Sequence, residues 1–160
     1  NIILNPGFDN GTTSWTFFTD GAGSFVADAT APYSGVNDAK LTLTTVGTNS
    51  QLFQINVPVV ANTLYRLSFA AKSSGSRDMF ISIFKNVSPF TNYGLLNFVP
   101  DLLSSYTFFT TEFTTNASAM NDARFQFRFN GKANNGDIYH IDQVNLQKVK
   151  EITPMFFNMF

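Results

Sequence analysis

The sequence predicts an all-β protein, a jelly-roll β-sandwich of two antiparallel sheets. About ten short runs rich in β-branched and aromatic residues follow one another at spacings of roughly 8–12 residues, with turn formers between them. Nineteen of the 160 residues are phenylalanine, and aromatic rings pack well on the pleated surface of a sheet. No segment shows a convincing helical period over ten residues.

The first half of the chain predicts six strands. Residues 2–4 form a short edge strand that Asn5-Pro6-Gly7 ends. Trp15, the only tryptophan, begins the next strand, and we expect it to fill the core. The other strands of this half are predicted at 25–28, 39–45, 51–57 and 63–72, and alternation directs their apolar residues inward.

Alternation divides the predicted strand 51–57 into two sets of residues on opposite faces. We expect its core-facing residues to be Phe53, Ile55 and Val57. The opposite face then carries Leu52, Gln54 and Asn56.

The second half predicts strands at 79–85 and 106–115, with residues 89–100 as an aromatic-bearing connection between them. Residues 124–130 alternate strictly, with Phe125, Phe127 and Phe129 on one face and polar residues on the other, which is typical of a half-buried strand. Residues 1–150 are expected to form one binding module. Residues 151–160 are expected to be a last strand or a linker tail.

The last long strand changes its core-facing parity once. Tyr139 and Ile141 share one parity, and Val144 and Leu146 share the other, so a β-bulge is predicted between them with Asp142 in it. A carboxylate directed by a bulge is a candidate metal ligand. An ordinary surface aspartate at an irregular strand is an equally good interpretation.

Composition excludes several classes of partner. The net charge is −1, so no basic excess neutralises phosphates and nucleic acid is not an expected partner. No run approaches the roughly 20 apolar residues of a membrane span. The absence of cysteine excludes disulfides and thiolate zinc sites.

The chain starts at Asn1, and we expect a mature or excised piece of a longer, secreted protein, acting as a monomer.

Catalytic groups are few, and we do not expect an enzyme. The only histidine is His140, which sits within a strand and is expected to be hydrogen-bonded or at the surface. Glycoside hydrolysis usually needs two facing carboxylates. Asp9 and Asp142 could approach each other if the first and last strands pair, but such a pair would serve a hard cation equally well.

An ordered set of motifs resembles the carbohydrate-binding modules of the family 4/9 type. The set comprises NIILNPGFDNG, a Trp, SGVNDAKLTL, Gln54 in a strand leading to NTLYRLSFAAK, TFFTTEFTT, and IYHIDQVNLQKV. It covers residues 1 to about 148. The resemblance implies a jelly-roll fold and a structural Ca²⁺ that ties the N-terminal segment to the last strand.

The family motifs also imply the calcium ligands. Asp9, after Gly7-Phe8, matches the N-terminal acidic ligand, and Asp142 matches the C-terminal one. Further ligands are implied in the loop from Ser34 to Ala39, some of them backbone carbonyls. Ser34 falls where the family often has a glutamate, so carbonyls and water would have to complete the six to eight oxygens that Ca²⁺ takes.

In this family, a sugar chain lies in a cleft across one sheet, with aromatic rings on the sugar faces and polar groups on the hydroxyls. The resemblance implies a stacking Phe90 with Tyr93 in one loop. Gln51 falls where some members have a stacking Trp. Arg128 falls where some members place a polar cleft residue, and Gln54 matches a cleft glutamine. Arg124 and Gln126 are expected to share that cleft. Phe90 and Tyr93 could instead form a small core of their loop.

The sequence therefore predicts a non-catalytic module that holds a single polysaccharide chain for an attached catalytic domain. Xylan or a β-glucan is the first expectation, and the arginines also fit an acidic glycan. One alternative is a structural or adhesion jelly roll without a glycan. Another is a small polysaccharide lyase or hydrolase that uses His140 with Tyr139 or Asp137.

Overall fold

The computed structural model describes residues 1–150, which form ten β-strands. The predicted strand or linker at 151–160 lies outside these residues. None of the described residues belong to a helix long and apolar enough to cross a membrane. The strands are β1 Thr16–Thr19, β2 Ala22–Asp28, β3 Asp38–Thr45, β4 Ser50–Val57, β5 Leu64–Ser73, β6 Phe80–Lys85, β7 Asn92–Phe98, β8 Thr107–Thr114, β9 Ala123–Arg128 and β10 Asp137–Lys148.

The strands make two five-stranded antiparallel sheets. The first sheet has the order β1-β4-β9-β6-β7 and the second has the order β2-β3-β10-β5-β8. The rings of Phe69 and Phe127, one from each sheet, lie 5.6 Å apart, so the sheets pack face to face. The predicted jelly-roll β-sandwich is confirmed.

The alternation of residues 124–130 buries the three phenylalanines that were predicted to share one face. Phe125, Phe127 and Phe129 are fully buried, and β9 is the central strand of the first sheet. Trp15 packs against two of these rings, with centroids 6.3 Å from Phe125 and 6.1 Å from Phe127. Its predicted role in the core is therefore confirmed.

The predicted bulge in β10 is present. The pairing register with β5 shifts between Asp142 and Asn145, and Gln143 has a positive φ of 52°. The bulge lets residues of both parities reach the core, because Tyr139, Ile141, Val144 and Leu146 are all fully buried. Asp142 lies at the bulge and is itself buried.

The N-terminal segment does not form the predicted strand at residues 2–4. It is fixed to β10 by individual hydrogen bonds instead. The Ile2 amide donates to the Leu146 carbonyl over 2.8 Å, and the Asn1 side chain bonds to Val144 and Leu146 over 3.0 Å. Pro6 accepts a further bond from the Val144 amide over 2.9 Å.

The predicted core face of β4 is wrong over most of the strand. Leu52 and Gln54 are buried, whereas Ile55 is 47% exposed. The register with β9 shifts between Gln54 and Val57, and Asn56 has a φ of 57°. This bulge brings Val57 inward as predicted, but it leaves Phe53 on the outer side.

Part of the predicted connection 89–100 is a strand. β7 pairs with the outer side of β6 and ends the first sheet. Tyr93 and Leu95 point inward and are buried, whereas Gly94 and Leu96 are exposed. The asparagines and the glycine of this segment concealed its alternation in the sequence.

Candidate functional site

The outer surface of the first sheet carries a compact group of cationic, amide and aromatic side chains. Because Phe125 and Phe127 point inward, Arg124, Gln126 and Arg128 point outward from the central strand. The neighbouring strands add aromatic rings, with Phe53 paired to Gln126 and Phe80 paired to Arg128. We call the group Phe53, Phe80, Arg124, Gln126 and Arg128 the arginine face.

Arg124 is held by a ring and two amides. Its guanidinium carbon lies 3.9 Å from the centre of the Phe53 ring. Its Nε donates to Asn86 Oδ1 over 3.0 Å, and its Nη1 donates to Gln51 Oε1 over 2.9 Å. These contacts fix the orientation of the guanidinium plane. The group has five N–H donors, and these two hydrogen bonds use only two of them.

Arg128, four residues after Arg124 on β9, is held in the same way. Its guanidinium carbon lies 4.2 Å from the centre of the Phe80 ring. It donates to the Asn130 carbonyl over 3.1 Å and to Asn97 Oδ1 over 3.3 Å. Burial lowers the pKa of both arginines from the ordinary value, because desolvation disfavours the charged form.

Gln126 lies between the two arginines on the same strand. It is 8% exposed, and within residues 1–150 its amide makes no hydrogen bond to the protein. A side-chain amide offers two donors and one acceptor oxygen. Gln126 thus presents its full hydrogen-bonding capacity at the centre of the arginine face.

Exposed aromatic rings flank the arginine face. Phe18 on β1 is 46% exposed and lines an open depression of about 290 Å³ together with Gln51, Phe53 and Arg124. Phe90 is 59% exposed, and its ring lies 6.4 Å from that of Phe84. Phe84 in turn pairs with Arg124 across β6 and β9.

The structure brings together five of the seven residues predicted to bind the ligand. Gln51, Arg124, Gln126 and Arg128 share the outer surface of the first sheet, and Phe90 lies at its edge. Gln54 and Tyr93 lie elsewhere.

Gln54 faces the N-terminal segment and not the arginine face. Its Nε2 donates to the Leu4 carbonyl over 2.7 Å, and its Oε1 accepts from the Leu4 amide over 3.2 Å. It is 4% exposed. The bonds to Leu4 use the amide to hold the chain, so the structure corrects the expected placement of Gln54 in the cleft.

Tyr93 belongs to the core, at 1% exposure. Its hydroxyl donates to Asp122 Oδ1 over 2.8 Å. Burial, with the bond to Asp122, raises the pKa of Tyr93 to about 12. The ring is therefore not available for stacking, and the alternative of a core role for Tyr93 is the one observed.

Sequence reasoning missed the rings beneath the arginines. Phe53 was expected in the core, and Phe80 and Phe18 were not singled out. The available signal was the alternation of Arg124, Gln126 and Arg128 on the polar face of β9, because an arginine gains from an aromatic ring placed beside it on the adjacent strand. The register itself depends on tertiary structure.

The two predicted metal-ligating carboxylates both lie beside Gly7. A Cβ built on Gly7 would lie 3.6 Å from Asp142 Oδ1 and 3.6 Å from Asp9 Oδ2. Asp142 is fully buried, and burial raises its pKa to about 6. Within residues 1–150, neither carboxylate forms a salt bridge. Two convergent carboxylates without a cationic partner fit a hard cation such as calcium.

Ser34 and Ala39, the ends of the loop predicted to supply further calcium ligands, have different roles in the structure. The Ser34 amide donates to Asp142 Oδ2 over 2.9 Å, so its backbone nitrogen contacts the carboxylate. Ala39 lies within β3 and pairs with Ala27 and Ile141 in the second sheet. Asp9 is oriented by the Val36 amide, which donates to Asp9 Oδ1 over 2.8 Å.

A second group of potential metal ligands comprises Asp28, Asp38 and His140. One ligand atom from each lies within 4.8 Å of the others. His140 Nδ1 is 3.0 Å from Asp38 Oδ2, and Lys40 Nζ is 3.6 Å from Asp28 Oδ2. The predicted hydrogen-bonded state of His140 is confirmed.

The residues considered for lyase or hydrolase chemistry do not converge. Tyr139 is fully buried, and its hydroxyl donates to the Asp78 carbonyl over 3.1 Å. Asp137 pairs with Arg77 Nε over 2.9 Å. His140 bonds to Asp38, so the three side chains engage three different partners.

Comparison with known proteins places this fold among sugar-binding domains. The family model CBM_4_9, described as a carbohydrate binding domain, matches residues 1–140. A solved structure described as "CBM4 structure and function" is 19% identical, with a TM-score of 0.78 over 92% of this chain and 99% of the other. Comparison with curated protein sequences gave no match.

Two further structures share the fold. The N-terminal cellulose-binding domain of Cellulomonas fimi β-1,4-glucanase C is 20% identical, with a TM-score of 0.63 over 89% of this chain and 96% of the other. The CBM22-1 xylan-binding domain from Paenibacillus barcinonensis Xyn10C is 17% identical, with a TM-score of 0.64 over 91% and 92%. At these identities, the likeness shows the fold.

Proposed function

The chain belongs to the CBM_4_9 family of carbohydrate-binding domains, and from that premise we propose that it binds single polysaccharide chains across the arginine face. The observation that carries the proposal is the free amide of Gln126 between two arginines, each of which rests on a phenylalanine ring. The module is non-catalytic and holds the glycan for an attached glycoside-active domain.

The chemistry of the face suits a sugar chain. A sugar ring has an apolar C–H face that packs on an aromatic ring and a rim of hydroxyls that need hydrogen-bond partners. Phe18 and Phe90 offer exposed rings, at 46% and 59% exposure. Arg124, Gln126 and Arg128 offer the donors between them, and the Gln126 oxygen offers an acceptor.

The polar centre of the arginine face favours one soluble chain over a crystalline surface. A crystalline surface would require a flat strip of aromatic rings, whereas polar side chains occupy the centre of the arginine face. Xylan and β-glucans are among the ligands we propose, and such polymers imply action outside the cell. An affinity of about −8 to −4 kcal/mol would suffice, because attachment to a catalytic domain raises the effective concentration.

A structural calcium ion is part of the proposal. Asp9 and Asp142 would hold it beside Gly7, where their carboxylates converge. Ca²⁺ would neutralise the buried Asp142 carboxylate and link the N-terminal segment to β10. Its role is stability, because this site is formed by Asp9, Gly7 and the bulge of β10 and not by the strands of the arginine face.

Affinity electrophoresis against a panel of soluble polysaccharides tests the binding role. We expect one or two plant-type glycans to retard the protein, and the variant Gln126→Ala to reduce the retardation. Arg66→Ala is the matched control, since Arg66 lies on the second sheet in a salt bridge with Glu112. If no neutral or acidic glycan retards the protein, a structural or assembly role replaces this proposal.

A further inference from the structure

We infer that the arginine face selects acidic polysaccharides, meaning chains that carry uronate carboxylates along their length. The inference rests on the proposed function and names the class of glycan that this site prefers. Three observations support it. They are the positions of the carboxylates on the two sheets, the partners of the four arginines, and the spacing of Arg124 and Arg128 on the arginine face.

The carboxylates of the strands all lie on one of the two sheets, whereas both sheets carry cationic side chains. The five strands of the first sheet contain no aspartate or glutamate, and their charged residues are Lys85, Arg124 and Arg128. The strands of the second sheet carry all five of the strand carboxylates, which are Asp28, Asp38, Glu112, Asp137 and Asp142. A chain with a net charge of −1 thus has one sheet whose strands carry cations without carboxylates.

The four arginines of the chain divide into two pairs. Arg66 lies 2.7 Å from Glu112, and Arg77 lies 2.9 Å from Asp137. Arg124 and Arg128 have only neutral oxygen acceptors, from Asn86, Gln51, Asn130 and Asn97. Within residues 1–150, neither of them has a carboxylate oxygen within 4.0 Å.

The unpaired arginines are also desolvated. Each guanidinium is covered on one side by a phenylalanine ring, and burial lowers the pKa of both. A partly buried charge without a counter-charge is costly, so an anionic ligand would gain more here than at an exposed arginine. Carboxylates bind guanidinium groups with two parallel hydrogen bonds, which are stronger than bonds to neutral hydroxyls.

The spacing of the arginines points to a polymer. Arg124 and Arg128 are four residues apart on one strand, about 13 Å at 3.3 Å per residue. One uronate carries one carboxylate, so a chain with repeated uronates is needed to pair both arginines at once. The free amide of Gln126 would bond the hydroxyls of the sugars between those carboxylates.

Binding to matched glycans tests the inference. The pairs are polygalacturonate against its fully methyl-esterified form, and glucuronoxylan against carboxyl-reduced glucuronoxylan, measured by calorimetry at low and high salt. We expect the acidic member of at least one pair to bind ten times or more tightly than its neutral partner. We also expect its affinity to fall as salt is raised, because screening weakens the pairing.

Variants locate the effect. The double variant Arg124→Gln/Arg128→Gln should abolish the preference for the acidic member, and Arg66→Gln should leave it unchanged. Thermal unfolding checks that each variant is folded. Lys85→Gln should also leave the preference unchanged, because Lys85 shares the parity of the buried Ile81 and Ile83 and not that of the arginine face.

The outcomes separate this inference from the proposed function. Equal or tighter binding of the neutral members overturns the inference and leaves glycan binding intact. Equal binding of dextran sulfate overturns selection of uronates, since simple attraction of anions would then account for the result. Failure to bind any glycan overturns both the inference and the proposed function.

Discussion

The guanidinium carbon of Arg124 lies 3.9 Å from the centre of the Phe53 ring. This contact gives an apolar residue on the outer side of β4 a packing partner. The ring supports the cation and holds it at the surface, where the Asn86 and Gln51 oxygens fix its direction. Phe53 is thus a positioning residue for Arg124.

Phe53→Leu should weaken glycan binding while the protein remains folded. A cation–π contact contributes about 0.5–2 kcal/mol, so we expect a loss of affinity of roughly 2- to 30-fold, measured by calorimetry. Phe108→Leu is the matched control, because Phe108 is an exposed phenylalanine of the second sheet. An unchanged affinity of Phe53→Leu would show that the ring does not position Arg124 for binding.

Gln126 and Gln54 should respond in opposite ways to truncation. Gln126→Ala should reduce binding and leave the free energy of unfolding nearly unchanged, because the Gln126 amide has no protein partner within residues 1–150. Gln54→Ala breaks two bonds to Leu4, so we expect a stability loss of about 1–3 kcal/mol. Urea unfolding and calorimetry on both variants provide the comparison. Reduced binding by a fully folded Gln54→Ala would instead place Gln54 in the ligand site.

We expect Tyr93 to make the stability of the protein fall at alkaline pH. Its folded pKa is raised to about 12, above the ordinary value of about 10. The stabilising contribution is therefore fully present below pH 10 and is lost as the pH rises toward 12, because the unfolded state ionises first.

The stability difference between the protein and Tyr93→Phe isolates this contribution. At neutral pH, Tyr93→Phe should cost about 1 kcal/mol for the lost bond to Asp122, and Tyr93→Ala about 3–5 kcal/mol for the emptied core site. The gap between the protein and Tyr93→Phe should narrow or reverse between pH 10 and 12. A gap that stays constant over this range would refute the raised pKa.

Calcium should stabilise the protein through Asp9 and Asp142. Addition of calcium to chelator-treated protein at 100 times its dissociation constant should add about 2.7 kcal/mol, seen as a higher melting temperature. Asp9→Asn should remove most of this increase. Asp101→Asn is the control, since Asp101 is an exposed aspartate in a loop outside the strands. An equal calcium response of both variants would exclude Asp9 as a ligand.

The features that were predictable from sequence are those encoded in one strand. The alternation around Phe127 fixed the faces of β9, and the parity change between Ile141 and Val144 located the bulge of β10. Both patterns are local, because burial on one side of a strand constrains every second residue. The motifs that resemble the family predicted the fold in a different way, as an ordered set along residues 1 to about 148.

The features that were not predictable depend on neighbouring strands. Phe53 faces outward because a bulge near Asn56 changes the parity of β4, and apolarity alone predicts the opposite. Tyr93 is buried because residues 92–98 pair with β6, which the glycine and asparagines of that segment conceal. The absence of carboxylates from the strands of the first sheet follows from the strand order, and no single segment contains that information.

The position of β10 has a consequence for how the protein forms during synthesis. This strand is the last of the ten, yet it lies between β3 and β5 at the centre of the second sheet, and its bonds to Asn1 join residues 143 and 145 positions apart. Until residue 148 has left the ribosome, β3 and β5 each present an open edge that another nascent chain could pair with. Folding must therefore be completed late and through distant contacts, which slows it, and the open edges of the unfinished sandwich favour aggregation until β10 is in place.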